Sequence, residues 1–324
     1  MAFKFLKYLA LLFLVVFIAD RALYFCIQKI QSSTFRGING GKINDYMRQN
    51  APPNLLIMGP SNAAYQLNPA NFKTETYNLG HPDTEDAFQS ALLSIIIQNK
   101  KIPKNILLHV TPDLYLGKDS LAGYTSKSPL KLGYYYSRNT LLTAYINDIS
   151  FKERVKYLMG LTKYNNKIVS ILKDFAATKI GGPVPKGFFS FTASDRDSIN
   201  VVLDYERVLK EKKNAAVKHD VVQKQKFKYL EKFIQQCREN NINLILFTLP
   251  FYPDVARRKD IELADISMHN FAAKYNLRYF DFRQTDLIRI INKPSYWKDM
   301  QHLSEKGSPL ESEFVNNTIA PFLN

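Results

Sequence analysis

The chain has 324 residues, a formal net charge of +15 and 46% hydrophobic residues. That is ordinary for a globular protein with a real core, and enough for one large α/β domain plus an accessory element. Two cysteines, Cys26 and Cys237, argue against a disulfide framework. No zinc-ligand spacing, helix-turn-helix signature or RNA-binding aromatic motif is present, so nucleic acid is not an expected partner. The basic balance suits an anionic surface instead, either phospholipid headgroups or an acidic polymer.

In chain order, Lys4 and Lys7 precede the apolar run from Tyr8 to Ala19, which resumes after Asp20-Arg21 as Ala22 to Ile27. As a helix, residues 8–27 would cross a hydrocarbon layer of about 30 Å. No small-residue cleavage site follows, so residues 1–27 read as an uncleaved signal anchor, with a cleaved signal peptide as the alternative. The two lysines favour an inside amino terminus, which places the rest outside the cytoplasm. Asp20 and Arg21 are expected near the outer edge of the span, reaching the interface or a partner membrane protein. Residues 28–53 are polar, contain Gly37, Gly40 and Gly41, end in Pro52-Pro53, and read as a linker.

From residue 54 the pattern changes to short apolar runs alternating with amphipathic stretches. Asn54 to Met58 reads as a first strand, with a second short strand ending near Asn78. A helix follows over Thr84–Lys100 with Thr84 as its cap, then a third strand over 105–110. Residues 114–219 show no sheet core. They contain a helical part from Leu141 to Phe175, the aromatic clusters Tyr134–Tyr136 and Phe188, Phe189 and Phe191, and a Lys-rich passage to Lys218. An amphipathic helix over 221–240, a fourth strand over 243–249, a helix and a fifth strand over 278–282 complete the alternation. Ser308-Pro309-Leu310-Glu311 reads as a capping box opening a last helix. The fold class is α/β, a doubly wound, mainly parallel sheet over residues 54–324, with 114–219 as a mainly helical insertion and an amino-terminal transmembrane helix.

Two short motifs carry chemistry. Gly59-Pro60-Ser61-Asn62 places a serine beyond the carboxyl end of the first strand, where open α/β sheets hold their ligands. Asp299-Met300-Gln301-His302 places a carboxylate and an imidazole on one compact turn near the carboxyl end. Acyl transfer by a serine needs those three groups: a nucleophile, a base to take its proton, and an acid to orient the base. His81 either touches substrate or is a solvated loop residue, and His109 reads as core or as support for the site. Trp297 either stacks on a sugar ring or shields the cleft floor. No His/Cys/carboxylate cluster has metal spacing and no Gly-rich phosphate loop is present, so neither metal nor cofactor is expected.

The order of these blocks resembles the SGNH (GDSL-like) hydrolase family over about residues 54–322. The blocks are Gly59-Pro60-Ser61-Asn62, Tyr77-Asn78-Leu79-Gly80, and Asp299-Met300-Gln301-His302-Leu303 followed by Gly307. The resemblance implies Ser61 as nucleophile, His302 as general base, Asp299 as its orienting acid, and the amides of Ser61 and Gly80 as oxyanion donors. Pro60 stands where the family has aspartate, a position outside the triad. The family's asparagine after the third strand is absent, since Thr111-Pro112-Asp113 follows. A third oxyanion donor falls to Asn62, Asn78 or Thr111, or the hole has two backbone donors only.

Anchored relatives act on acyl groups of bacterial cell-envelope polymers, often beside a multi-pass membrane acyltransferase. The resemblance therefore implies a membrane-anchored extracytoplasmic esterase or O-acyltransferase, with an acylated glycan or anionic envelope polymer as partner. A catalytically silent protein of the same fold, binding a glycan or scaffolding a membrane acylation complex, is the second expectation. Residues 114–219 are expected to form a cap over Ser61.

Overall fold

A computed structural model describes residues 2–117, 125–164, 167–214, 221–252 and 259–324. The chain divides into two compact units. One comprises Met1–Arg48 and Thr125–Val184, the other Gln49–Tyr124 and Pro185–Asn324. The stretch 114–219 is thus shared between the two. Its residues 118–124, 165–166 and 215–219, including Lys218, lie outside the described residues.

The second unit is built on five parallel strands: β1 Leu55–Met58, β2 Thr76–Asn78, β3 Asn105–His109, β4 Asn243–Thr248 and β5 Arg278–Asp281. Their spatial order is β2-β1-β3-β4-β5. Every residue of β1, β2 and β3 is buried. Strands covered on both faces read as continuous apolar runs rather than alternations, as Leu-Leu-Ile-Met does here. Alternate residues still divide between the faces. Leu55, Ile57, Leu107, Ile245 and Phe247 pack with Ala63, Leu67, Leu303, Val315 and Ile319 in one core. Leu56, Ile106, Leu108 and Leu246 are buried on the other face. Helices Asp86–Gln98 and Lys228–Glu239 pack together, and the second lies on β4. Each such aliphatic side chain contributes about 1.5–3 kcal/mol when withdrawn from water. Cys237 is buried in Lys228–Glu239. The chain runs from β1 outward to β2 and then back across to β3. The direction of winding therefore switches between β1 and β3, which opens a crevice at their carboxyl ends.

Several local expectations need correction. The amphipathic helix begins at Lys228 rather than 221, because Val221 and Val222 pair antiparallel with Gly117 and Leu116. Helix Asp86–Gln98 is preceded by Glu85, and Thr84 donates its hydroxyl to the carbonyl of His81 instead of capping. The capping box at 308–311 does not form. Ser308 donates to the carbonyl of Gln66, and the Glu311 carboxyl is buried with no hydrogen-bond partner among the described residues. Both side chains lie on the helix face that meets the core, so burial overrides the local motif.

The first unit has no strand among its described residues. Its long helix Ala2–Ser32 exposes its apolar side chains from Phe3 to Ile18. From Asp20 onward it is held by its own unit. The Asp20 carboxylate, 5% exposed, accepts the amides of Gly160 at 2.6 Å and Leu161 at 3.0 Å. Arg21 donates to the carbonyl of Leu158 at 2.6 Å. Tyr24 is buried, and its ring lies against that of Tyr164. Asp20 and Arg21 are thus hydrogen-bonded by residues 158–161 of the same chain. The stretch 28–53, read as a linker, holds the end of this helix and a further helix, Gly41–Arg48.

Candidate active site

Gly59 ends β1 with φ at +139°, a region that disfavours side chains. A Cβ there would also stand 2.6 Å from the Cβ of His109 on β3. Glycine is required on both counts. Pro60 then caps the six-residue helix Ser61–Gln66, with its fixed φ matching the −74° of the turn. Ser61 occupies the first helical position. Its amide, like the next two, has no intrahelical carbonyl to bond.

His302 stands opposite. Its Nε2 lies 2.9 Å from Ser61 Oγ, and its Nδ1 lies 3.0 and 2.9 Å from the two oxygens of Asp299. With Nδ1 donating its hydrogen to the carboxylate, Nε2 is left to accept the serine proton. Asp299 also accepts the backbone amides of Gln301 at 2.7 Å and His302 at 2.9 Å. Burial pushes its pKa up. The hydrogen bonds from the His302 ring and the two amides outweigh that and hold it below the usual carboxylate range. Asp299 therefore stays ionised at neutral pH.

The loop presenting this pair is pinned at three successive carbonyls, those of Met300, Gln301 and His302. The Lys298 amide donates to the His302 carbonyl at 2.8 Å, and the Tyr252 amide to the Met300 carbonyl at 2.9 Å. The Gln301 carbonyl receives two side-chain amides, from Asn62 at 2.8 Å and from Gln66. Those residues are four apart on the serine helix, hence on one face. The helix that carries the nucleophile thus also grips the residue before His302. Tyr65 and Phe191 wall the imidazole on the other side. Their ring centroids lie 5.9 and 5.5 Å from it and 4.3 Å from each other. Phe191 is held by its own carbonyl, which accepts the Glu305 amide at 2.8 Å.

The expected oxyanion and substrate residues fare differently. The Gly80 amide donates to Asn78 Oδ1 at 2.8 Å, so it is engaged rather than free for an oxyanion. Asn78 is fully buried and donates to the carbonyls of Ala63 and Leu67. Asn62 is committed to Gln301. Asn78, with both amide hydrogens used on the serine helix, is a strut of that helix and not an oxyanion donor, while Asn62 ties the helix to the loop of His302. Gly80 itself packs on that helix: a Cβ there would meet the Ala64 nitrogen at 2.6 Å. Thr111 is half-buried just past β3, at the same sheet edge, and its hydroxyl has no hydrogen-bond partner among the described residues. Trp297 is fully buried, donates its indole N–H to the Ile291 carbonyl at 2.6 Å and packs on Tyr252, so it offers no sugar platform. His81 is buried with Nδ1 on the Leu79 carbonyl, not solvated. His109 is buried, and its Nε2 accepts the Leu249 amide at 3.2 Å. Among the described residues, no group of three or more His, Cys, Asp or Glu side chains could hold a metal.

Sequence reasoning missed Gln66, Tyr65 and the contact of Phe191 with His302. The i, i+4 spacing of Asn62-Gln66 and of Ser61-Tyr65 was the available signal. For Phe191 none existed, because its approach depends on a return of the chain across more than a hundred residues.

No family model and no curated protein matches the chain. Among solved structures, one from Bacteroides fragilis described as a candidate acylhydrolase is similar. The identity is 12%, with 86% of this chain and 94% of that one covered at a TM-score of 0.41. At that score the likeness lends nothing to the reading of the site, which rests on the geometry above.

Proposed function

We propose that the protein is a membrane-anchored serine esterase or O-acyltransferase. The observation that carries this is the Ser61–His302–Asp299 chain of hydrogen bonds, each link 2.9–3.0 Å. In the reaction, Ser61 Oγ attacks the acyl carbonyl carbon while His302 Nε2 takes its proton. The carbonyl π electrons move onto oxygen. The intermediate collapses, His302 returns the proton to the departing alcohol, and an acyl-serine remains. A water, or a sugar hydroxyl, then attacks the acyl carbon as His302 takes its proton, the bond to Ser61 Oγ breaks, and His302 returns the proton to the released serine. Ionised Asp299 keeps Nδ1 protonated and stabilises the imidazolium. The Ser61 amide at the helix start and the Thr111 hydroxyl are the oxyanion donors of this reading.

The substrate class we infer is an acyl ester on an anionic or glycan polymer of the cell envelope. The net charge of +15 and the apolar amino-terminal helix support it. That helix is long and apolar enough to cross a membrane. The lysines before it favour an extracytoplasmic domain, where a multi-pass membrane acyltransferase would be a partner.

One observation favours a second reading, a silent glycan-binding or scaffold protein. With Gly80 engaged by Asn78 and no asparagine after β3, the oxyanion site has few donors. Losing one donor costs about 10²–10³ in rate. The experiment that separates the readings is hydrolysis of an activated acetyl ester by the full chain in detergent. The enzyme reading expects turnover that Ser61→Ala removes. Turnover equal in both proteins, or absent from both, would favour the scaffold.

A further inference from the structure

The short helix Phe151–Lys156 in the first unit has no buried residue at all. Helices this short do not hold themselves together in water, and one without a buried face normally lacks apolar side chains. This one carries Phe151, 77% exposed, and Val155, 46% exposed, with Leu158 following at 68%. Leu158 lies on the turn that follows the helix, and Phe151 and Val155 sit at i and i+4 and so share a face. Lys152, Arg154 and Lys156 are all exposed around it. Glu153 is the single acid of the helix and pairs with Lys156 at 2.6 Å.

Its position in the unit gives the pattern a meaning. Leu158 is the residue whose carbonyl takes Arg21, and the next residues but one take Asp20. Residues 158–161 are therefore fixed to the long helix at the level where its uninterrupted apolar exposure stops. Residues 3–20 span about 27 Å at 1.5 Å per residue, close to the hydrocarbon thickness of about 30 Å. This sets the span earlier than the 8–27 read from the sequence, with Lys4 and Lys7, the latter reaching back over the Phe3 ring, at its inner end, where long basic side chains reach the interface. Asp20 and Arg21 then mark the bilayer boundary; Leu158 stands at that level, and Phe151 and Val155 lie on the short helix that immediately precedes it, all three open to solvent. Behind them Tyr157 is buried against Tyr136, which anchors the segment to its unit.

We propose that residues 151–158 form a second membrane contact, a foot that lies in the interface beside the anchor. Phe151, Val155 and Leu158 enter the headgroup–acyl boundary, and Lys152, Arg154 and Lys156 meet anionic phosphates. An apolar stripe flanked by basic residues on a short helix is the composition interfacial helices use. Two attachment points would fix the orientation of the unit on the bilayer, which a single helix leaves free to rotate. The proposal rests on the membrane reading above, and its test keeps the two apart.

The full chain has one tryptophan, Trp297, which is buried, so wild-type protein gives the background. Full-length Phe151→Trp and Leu158→Trp are reconstituted in phosphatidylcholine vesicles, with and without phosphatidylglycerol, using lipids brominated near the carbonyl end of the chain. Flotation with the vesicles reports the anchor. Fluorescence reports the foot. The expected result is blue-shifted emission at both positions, quenched by brominated lipid and more strongly with phosphatidylglycerol. Protein that floats but emits as in water, unquenched, keeps the anchor and overturns the foot. Blue-shifted emission that brominated lipid does not quench also overturns it, and places a protein surface, a second copy or a partner, over this face. Protein that does not float defeats the membrane reading, and the foot with it.

Discussion

The two units place their apolar residues in opposite ways. In the second, Leu55 to Met58 and Asn105 to His109 are sealed inside a parallel sheet, and the polar groups at the strand ends are left to do chemistry. In the first, the apolar side chains from Phe3 to Ile18, and again Phe151, Val155 and Leu158, face outward, while a carboxylate, Asp20, is buried. The second unit keeps its apolar side chains inside; the first leaves them exposed along a helix long and apolar enough to cross a membrane. On the proposed function, the contrast means that chemistry and attachment are carried by different residues and should fail separately.

The largest expected effects lie in the sheet unit. Ser61→Ala and His302→Ala should each abolish ester turnover, and the double variant should be little worse than either, because triad members act as one device. Asp299→Asn should lower kcat by about 10⁴-fold, since an amide leaves the imidazole in the wrong tautomer. All of these should leave vesicle flotation unchanged, and a triad variant that released the protein from vesicles would break the comparison.

Next come the struts. Gln66→Leu removes one of the two donors on the Gln301 carbonyl, and Asn62→Leu removes the other. Each should lower kcat by about 10-fold to 10²-fold with KM unchanged, since loss of position costs rate rather than binding. The double variant should lose more than the sum, because either amide alone still holds the loop. Steady-state kinetics on a small ester checks both points.

A change in the first unit should move stability and spare chemistry. Asp20→Ala strands the amides of Gly160 and Leu161, at a cost of about 1–3 kcal/mol, read as faster proteolysis within residues 150–164 at unchanged kcat. Asp20→Asn, which keeps an acceptor, should lose less.

The smallest effects concern buried groups of the sheet unit with opposite pH signs. Burial raises the Glu311 carboxyl well above 4.5. Its contribution to stability is full below that value and is lost as pH rises through the folded pKa. Glu311→Leu should therefore stabilise the unit at neutral pH by about 1–3 kcal/mol, and the gain should shrink as pH approaches 4.5. Burial, helped by the Arg283 charge, pushes His109 down from 6.5 to about 3. A neutral His109 supports the fold above pH 6.5, and that support is lost progressively as pH falls from there to about 3. Thermal melts across this range check both slopes.

How much of this could be read from residues follows the same division. The five strands and the serine turn were legible because covered parallel strands are short apolar runs, and Gly59-Pro60-Ser61 punctuates one of them. The pairing of Asp299 with His302 was legible because three residues set its geometry. The oxyanion donors were not, because the motif around Gly80 is silent about where its amide points. Asn78 Oδ1 takes that amide, and only the packed strand end shows it. The capping box at 308–311 failed for the same reason: a local pattern lost to a buried face. The first unit was the least legible, because it joins residues 1–48 to 125–184, and its central bond, Asp20 to Gly160, spans 140 positions. Periodicity reports neighbours within an element and carries no information across that distance.

The central claim is that Ser61 is an activated nucleophile, and the most direct measurement is covalent capture. The full-length protein in detergent is treated with a fluorophosphonate at neutral pH, and the adduct is mapped by peptide mass spectrometry. The account predicts a single phosphonylated serine, Ser61, with labelling lost in Ser61→Ala and strongly slowed in His302→Ala. No adduct on Ser61, or equal labelling of the His302→Ala protein, would contradict it.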